Sequence, residues 1–255
     1  MKGPSMPVPP ILAATDLSPR SSEVAARAAA IAQTLGARLV LAHVRSEGDL
    51  PPVAAETRLL TGEPAEALAD LARAEGAGLI VLGLHRERRV LDLLRLTTME
   101  RIVLAAPCPV LIAHLPVRGP YRSILAPTDF GAGSAASLIA AARLAPSAQR
   151  HAIHALRMRL GSRAAPGNEE YEAAMTRAEA ACATFLATPG LPALDEPPLI
   201  VPGGVHEVLE FRQAELGADL VCIGAHSGRD PAALGNYARD LMRAPPTDLL
   251  VAKPG

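Results

Sequence analysis

The chain repeats itself, block by block and in order. The run ILAATDLSPRSSEVAARAAAIA (11–32) returns as ILAPTDFGAGSAASLIAAARLA (124–145). LVLAHV (39–44) has a weaker echo in HAIHAL (151–156). GAGLIVLGLH (76–85) returns as GADLVCIGAH (217–226), and CPVLIA (108–113) as TDLLVAK (247–253). Similar blocks that keep their order mark a duplicated domain, because chance does not preserve order. The fold must therefore close within about half of the 255 residues, an ordinary domain size. The expected domains span 9–115 and 120–253, joined by a linker carrying Pro116, Gly119 and Pro120.

Within each copy, short apolar runs alternate with helical periodicity. The runs at 11–14, 39–44, 56–60, 79–83 and 110–113 lack polar alternation, as strands buried on both faces do. Between them lie helices from Ser18-Pro19 to about Leu35, over 64–75, and up to about Ala106. The second copy predicts strands at 124–126, 151–156, 199–201, 220–224 and 249–251, with helices at 134–144, 205–216 and 231–243. It adds a long Ala-rich helix at 169–188, where the first copy has only the segment 45–55. Strand–helix alternation predicts two tandem doubly wound parallel sheets, a Rossmann-like α/β class, the first domain lacking one helix.

Composition narrows the partners. The chain is 49% apolar but only 2% aromatic, with no Trp, so its cores are built of Ala, Leu and Val and offer few stacking platforms for bases. Net charge is -1 without long single-sign runs, which argues against nucleic acid and against a polybasic membrane anchor. Cys108, Cys182 and Cys222 show no CxxC or metal spacing, as expected of a reduced, cytoplasmic protein. No apolar run reaches the roughly 18 residues of a membrane span, and MKGPSMPVPP lacks the apolar stretch of a signal peptide.

An open parallel sheet binds ligands beyond the C-terminal ends of its strands, where strand order reverses. Two polar features recur at that edge: the acid after strand one (Asp16, Asp129), and Gly-x-His after strand four (Gly83 with His85, Gly224 with His226). Neither GxGxxG after the first strand nor GxxxxGK[ST] is present. No HxH or HExxH spacing supports a metal site.

The ATD motif before a Ser-rich helix start, the strand ending His43-Val44, LIVLG, and TTMERIV…APCPVLIA resemble the universal stress protein family. PTDF, GADLVCIGAH, LGNYARDL and TDLLVAK carry the same resemblance through the second half. The resemblance implies the adenine nucleotide α-hydrolase-like fold, a stress-response role, and ATP or another adenine nucleotide, with Mg, as ligand. Nucleotide-binding members carry G-x2-G-x9-G-[ST] after strand four, where glycines admit phosphate to backbone N–H groups and the hydroxyl sits at a helix N-terminus. By resemblance Asp16 and Val44, or Asp129 and Ala155, hold the adenosine end.

Both phosphate loops depart from that pattern. In copy one Gly83 stands, but Arg86 and Leu96 replace the next glycines, and Thr97 keeps the hydroxyl. Arg86 has two readings, a phosphate fork or a solvated loop residue. In copy two Gly224 stands, Ser227 with Gly228 takes the second position, Gly235-Asn236 stands for Gly-Ser, and the loop is shorter. A ligand is therefore expected in copy two if in either. The bland readings stay open beside these. Asp16 and Asp129 bond loop amides as turn residues, Gly83 and Gly224 serve a turn, Thr97 and Asn236 cap helices, and His43 and His154 are core histidines. Three functions follow: a nucleotide-responsive stress protein without conventional enzymatic activity, an interaction module that has lost the nucleotide, or an ATP-using enzyme of the same superfold. The family's last strand pairs across a dimer interface, which implies that 110–113 and 249–251 pair within this chain as a pseudo-dimer. A homodimer through other faces stays open.

Overall fold

Two compact units divide the chain, Met1–Pro120 and Tyr121–Gly255. The computed structural model describes residues 8–16, 21–44, 57–84, 96–158, 167–226 and 233–254.

The first unit runs β1 (Ile11–Ala14), α1 (Ser21–Leu35), β2 (Leu39–Val44), β3 (Thr57–Leu60), α2 (Pro64–Glu75), β4 (Leu79–Gly83), α3 (Thr98–Ala105), β5 (Val110–Ala113). Its strands lie in the order β3-β2-β1-β4-β5. Every pairing among them is parallel. The order reverses beside β1, between β2 on one side and β4 on the other. Ile80, Val81, Leu111 and Ile112 are fully buried, as continuous apolar strands covered on both faces require. No helix stands between β2 and β3 among the described residues; the segment 45–56 lies outside them. The Ser18-Pro19 helix start also lies outside them.

The second unit runs β6 (Ser123–Pro127), α4 (Ala132–Leu144), β7 (Gln149–Leu156), α5 (Glu169–Leu186), β8 (Leu199–Pro202), α6 (Val205–Leu216), β9 (Leu220–Gly224), α7 (Asn236–Arg243), β10 (Asp248–Ala252). Its strands order as β10-β9-β6-β7-β8, again all parallel, with the reversal at β6. The extra helix is α5. Asn168 caps it by accepting from the Glu170 and Tyr171 amides. Only Ala178 and Phe185 of α5 are buried, so the helix is held chiefly by one aromatic anchor. Helix α7 begins at Asn236, and residues 231 and 232 of the expected 231–243 helix lie outside the described residues. Gly235 is its extended N-cap, and the Gly235 amide bonds Ala225 O at 2.9 Å, which pulls the chain off the helical path just before.

Glycines at the ends of β4 and β9 set how closely the first helix of each unit approaches the sheet. A Cβ on Gly224 would lie 2.7 Å from the Gly133 carbonyl carbon, and one on Gly83 would lie 2.9 Å from Val24 Cγ2. The first obstacle is backbone and the second a side-chain methyl. Cys222, on β9, is fully buried, and burial pushes its thiol up to about 12. No helix among the described residues is long and apolar enough to cross a membrane.

An ion network around the buried Arg212 and His151 ties the loop before β8 to the rest of the second unit. Arg212 of α6 contacts Glu196 and, at 2.6 Å, Glu215; His151 Nδ1 on β7 meets Glu196 Oε1 at 2.8 Å. The His151 hydrogen bond, reinforced by Arg212, holds the Glu196 carboxyl below its ordinary 4.5 against the opposing effect of burial. A carboxylate whose folded pKa is depressed contributes stability above its unfolded pKa, and loses it as pH falls through the folded value. Acid titration of unfolding should therefore show the second unit weakening below about pH 4.5, and Glu196→Gln should flatten that dependence. An unchanged slope in the variant would remove Glu196 from the account.

Candidate functional site

The ends of β6, β7 and β9 open onto a cavity of about 540 Å³ in the second unit, at the point where its strand order reverses. Its walls include Thr128, Asp129 and Ser134 after β6, Ala155 to Arg157 at the end of β7, and Gly224 and His226 at the end of β9. Helix α5 adds Ala174, Arg177 and Ala178, Val205 comes from the start of α6, and Gly235, Tyr237 and Ala238 from the start of α7. The sequence candidates Asp129, Ala155, Gly224, His226 and Gly235 thus share one cavity. Asn236 is exposed and does not line it. Ser227 and Gly228 lie outside the described residues.

Asp129 is exposed and organises its own turn. Its Oδ1 accepts from the Gly131 amide at 2.9 Å and from Ser134 Oγ at 2.8 Å. Phe130 then takes a left-handed φ of 61°, which is uncommon for a bulky residue. Its ring stacks on His154 at 4.8 Å and meets Phe185 at 5.6 Å. These contacts hold a conformation that costs about 1–3 kcal/mol. His154 Nδ1 lies 2.8 Å from Thr128 O. A carbonyl only accepts, so that nitrogen carries the proton, and the ring fastens the end of β6 to β7. His43 makes the same bond to Thr15 O, at 2.8 Å, in the first unit. Sequence alone read these two histidines as core residues; their duplicated bond to the Thr before the acid shows what they pin.

His226 turns its Nδ1 to Ala233 O at 2.6 Å, closing its own loop. Tyr237 was missed by the sequence reading. It lines the cavity, stands edge-on to His206 at 5.1 Å, and burial raises its phenol. The aromatic after Gly235-Asn236 was the available signal. Arg157 and Arg177 were also missed, since neither belongs to a repeated motif.

In the first unit the corresponding elements are closed by internal bonds. Thr97 caps α3 in a reciprocal box: its Oγ1 accepts from the Glu100 amide at 3.2 Å, and Glu100 Oε2 accepts from the Thr97 amide at 2.7 Å. Glu63 caps α2, its Oε2 accepting from the Ala65 and Glu66 amides at 2.8 and 3.1 Å. Leu96 is 41% exposed just before the α3 cap. Asp16, Val44 and Gly83 stand at the ends of β1, β2 and β4; His85 and Arg86 lie outside the described residues. The second unit differs at both helix starts. Gly204 and Gly235 replace Glu63 and Thr97 as the N-caps of α6 and α7, with no side-chain cap bond at either. Among the described residues no group of three or more His, Cys, Asp or Glu could hold a metal ion.

Solved structures with this architecture are numerous. One, assigned to the universal stress proteins, from Pseudomonas aeruginosa UCBPP-PA14, is 25% identical with a TM-score of 0.66, over 96% of this chain and 92% of that one. A functionally unknown protein from Pseudomonas aeruginosa PAO1 is 25% identical with a TM-score of 0.63, over 96% and 92%. A universal stress protein from Archaeoglobus fulgidus DSM 4304 matches with a TM-score of 0.64 over 96% of each chain, and at 14% identity it shows the fold alone. No curated protein matches. The model of the universal stress protein family matches residues 49–114 and again 120–253. Two copies of one family's pattern, on two doubly wound sheets, make this chain a tandem member of the universal stress protein family.

Proposed function

We propose that the second domain holds an adenine nucleotide, ATP being the reference ligand, and that its occupancy sets the state of a stress-response protein that is not a conventional enzyme. The supporting observation is the cavity at the β6 switch point, where Asp129, Ala155, Gly224 and Gly235 converge. Its volume suits a nucleotide, and its position is where open α/β sheets bind ligands. Asp129 and the end of β7 hold the nucleoside in this reading. A magnesium ion, where present, comes with the phosphates.

The capped helices of the first domain favour a second reading there. With Glu63 and Thr97 on the amides that a phosphate would use, the domain over residues 9–115 acts as an interaction module. The presence of two family domains in one chain supports an intra-chain pseudo-dimer in the same reading.

A thermal melt of the whole chain with and without millimolar Mg-ATP tests the proposal. A site filled to about 100 times its dissociation constant should gain roughly 2.7 kcal/mol. The gain should vanish in Asp129→Ala and persist in Asp16→Ala. Asp129→Asn keeps the acceptor for Gly131 and Ser134, so it separates turn geometry from charge. No gain in the unaltered chain would shift the second domain to the interaction-module reading as well.

A further inference from the structure

Phe130 is the only non-glycine residue with a left-handed backbone among the described residues, at φ 61°. A bulky side chain takes that conformation only where its surroundings impose it, and such strain gathers at ligand sites. Phe130 does not itself line the cavity. Its neighbour in sequence, Asp129, and its neighbour in space, His154, both do.

Two sets of restraints hold the turn. The polar set would serve any residue at 130. The Phe130 amide donates to Thr128 Oγ1 at 2.8 Å, and the Gly131 amide and Ser134 Oγ donate to Asp129 Oδ1 at 2.9 and 2.8 Å. Glycine would reach φ 61° there without steric cost. The second set belongs to the ring. It stacks on His154 at an interplanar angle of 27° and tilts against Phe185 of α5 at 57°. His154 is fixed in turn by its bond to Thr128 O. A ring held on two sides fixes its own Cα–Cβ direction, and with it φ at 130 and the place of the Gly131 amide. In the sequence of the first copy Leu17 takes the matching place, and the interval 45–55 is shorter than α5. The ring and the helix that carries Phe185 thus occur together, in the copy whose switch point opens onto the cavity.

The turn divides the Asp129 carboxylate. Oδ1 carries both turn bonds, while Oδ2 has no partner among the described residues. One tied oxygen sets the plane of the group, so the other accepts from a fixed direction. The apolar wall of Leu156, Ala174, Ala178 and Val205, at the end of β7 and on α5 and α6, suits a flat base. Asp129 follows the neighbouring β6 and is left for the sugar, whose hydroxyls donate to a carboxylate in short, charge-assisted bonds.

We infer that Phe130 is a positioning residue: its ring, clamped between His154 and Phe185, holds the turn in which Asp129 Oδ1 is tied and Oδ2 receives a ribose hydroxyl of the nucleotide. The inference rests on the nucleotide reading above and adds to it the residue that sets sugar recognition.

Calorimetric titration of the full chain with Mg-ATP and with Mg-2′,3′-dideoxy-ATP tests it. The unaltered chain should bind ATP roughly ten- to a hundredfold more tightly than the dideoxy analogue, the usual worth of a hydrogen bond to a charged group. Phe130→Leu imports the residue of the first copy and keeps most of the apolar bulk, and it should bring that ratio close to one. Phe130→Gly removes the ring and the strain together and should do the same. If both ligands weaken by one factor in either variant and the ratio survives, the ring serves stability alone. That result overturns the inference and leaves the nucleotide reading standing. Equal binding of the two ligands by the unaltered chain would take Asp129 away from the sugar, again against the inference alone. Absence of ATP binding to the unaltered chain would overturn both.

Discussion

Phe185→Ala should cost the second domain about 3–5 kcal/mol, the usual range for removing a large buried aromatic. Phe185 is 2% exposed and sits near the C-terminal end of α5, a helix with otherwise only Ala178 in the buried class. Helix α5 also supplies Ala174, Arg177 and Ala178 to the cavity. The loss should therefore be double: a lower melting transition, and ligand affinity reduced before the domain unfolds. Phe130 transmits the effect, because its ring meets Phe185 on one side and His154 on the other. Phe185→Leu, which refills most of the volume, should recover most of the stability. Equal melting of Phe185→Ala and the unaltered chain would show that α5 is held by something other than this anchor.

Gly224→Ala should destabilise the same domain by roughly 1–3 kcal/mol, and Gly83→Ala the first domain by less. The two glycines occupy matching positions, yet their surroundings differ. The new methyl at residue 224 meets the Gly133 backbone at 2.7 Å, so α4 must move off β9. At residue 83 it meets a Val24 methyl at 2.9 Å, and a rotation of that side chain gives way. Differential scanning calorimetry of the two variants reads the asymmetry directly. Similar losses would mean that helix backbone and side chain yield equally, against this account.

Much of the architecture was legible because the chain states it twice. Ile11–Ala14, Leu79–Gly83 and Val110–Ala113 fall where unbroken apolar runs placed strands, and α2 and α6 have the expected bounds. Helix α7 is shorter than its sequence pattern, because the bond from the Gly235 amide to Ala225 O is made by chain folding that periodicity does not encode. The site was less legible. Of the residues that line the cavity, motif reasoning named Asp129, Gly224 and Gly235 but not Arg157, Arg177 and Tyr237, which stand after β7, on α5 and on α7. Spacing also gave no sign that the missing Cβ of Gly224 makes room for Gly133. A glycine at a strand end answers to whichever neighbour comes closest, and one-dimensional spacing does not name that neighbour.

The three cysteines form a built-in clock. Cys108 and Cys182 are half-buried, while Cys222 is sealed within β9 and held as a neutral thiol far above neutral pH. The thiolate is the reactive form, so an alkylating reagent reaches Cys222 only through conformations in which β9 has left its neighbours. The rate of its modification thus times the opening of the sheet at the strand that carries Gly224 into the cavity wall. Any molecule that binds across the ends of β6, β7 and β9 slows that clock in proportion to its occupancy, whatever its chemical identity.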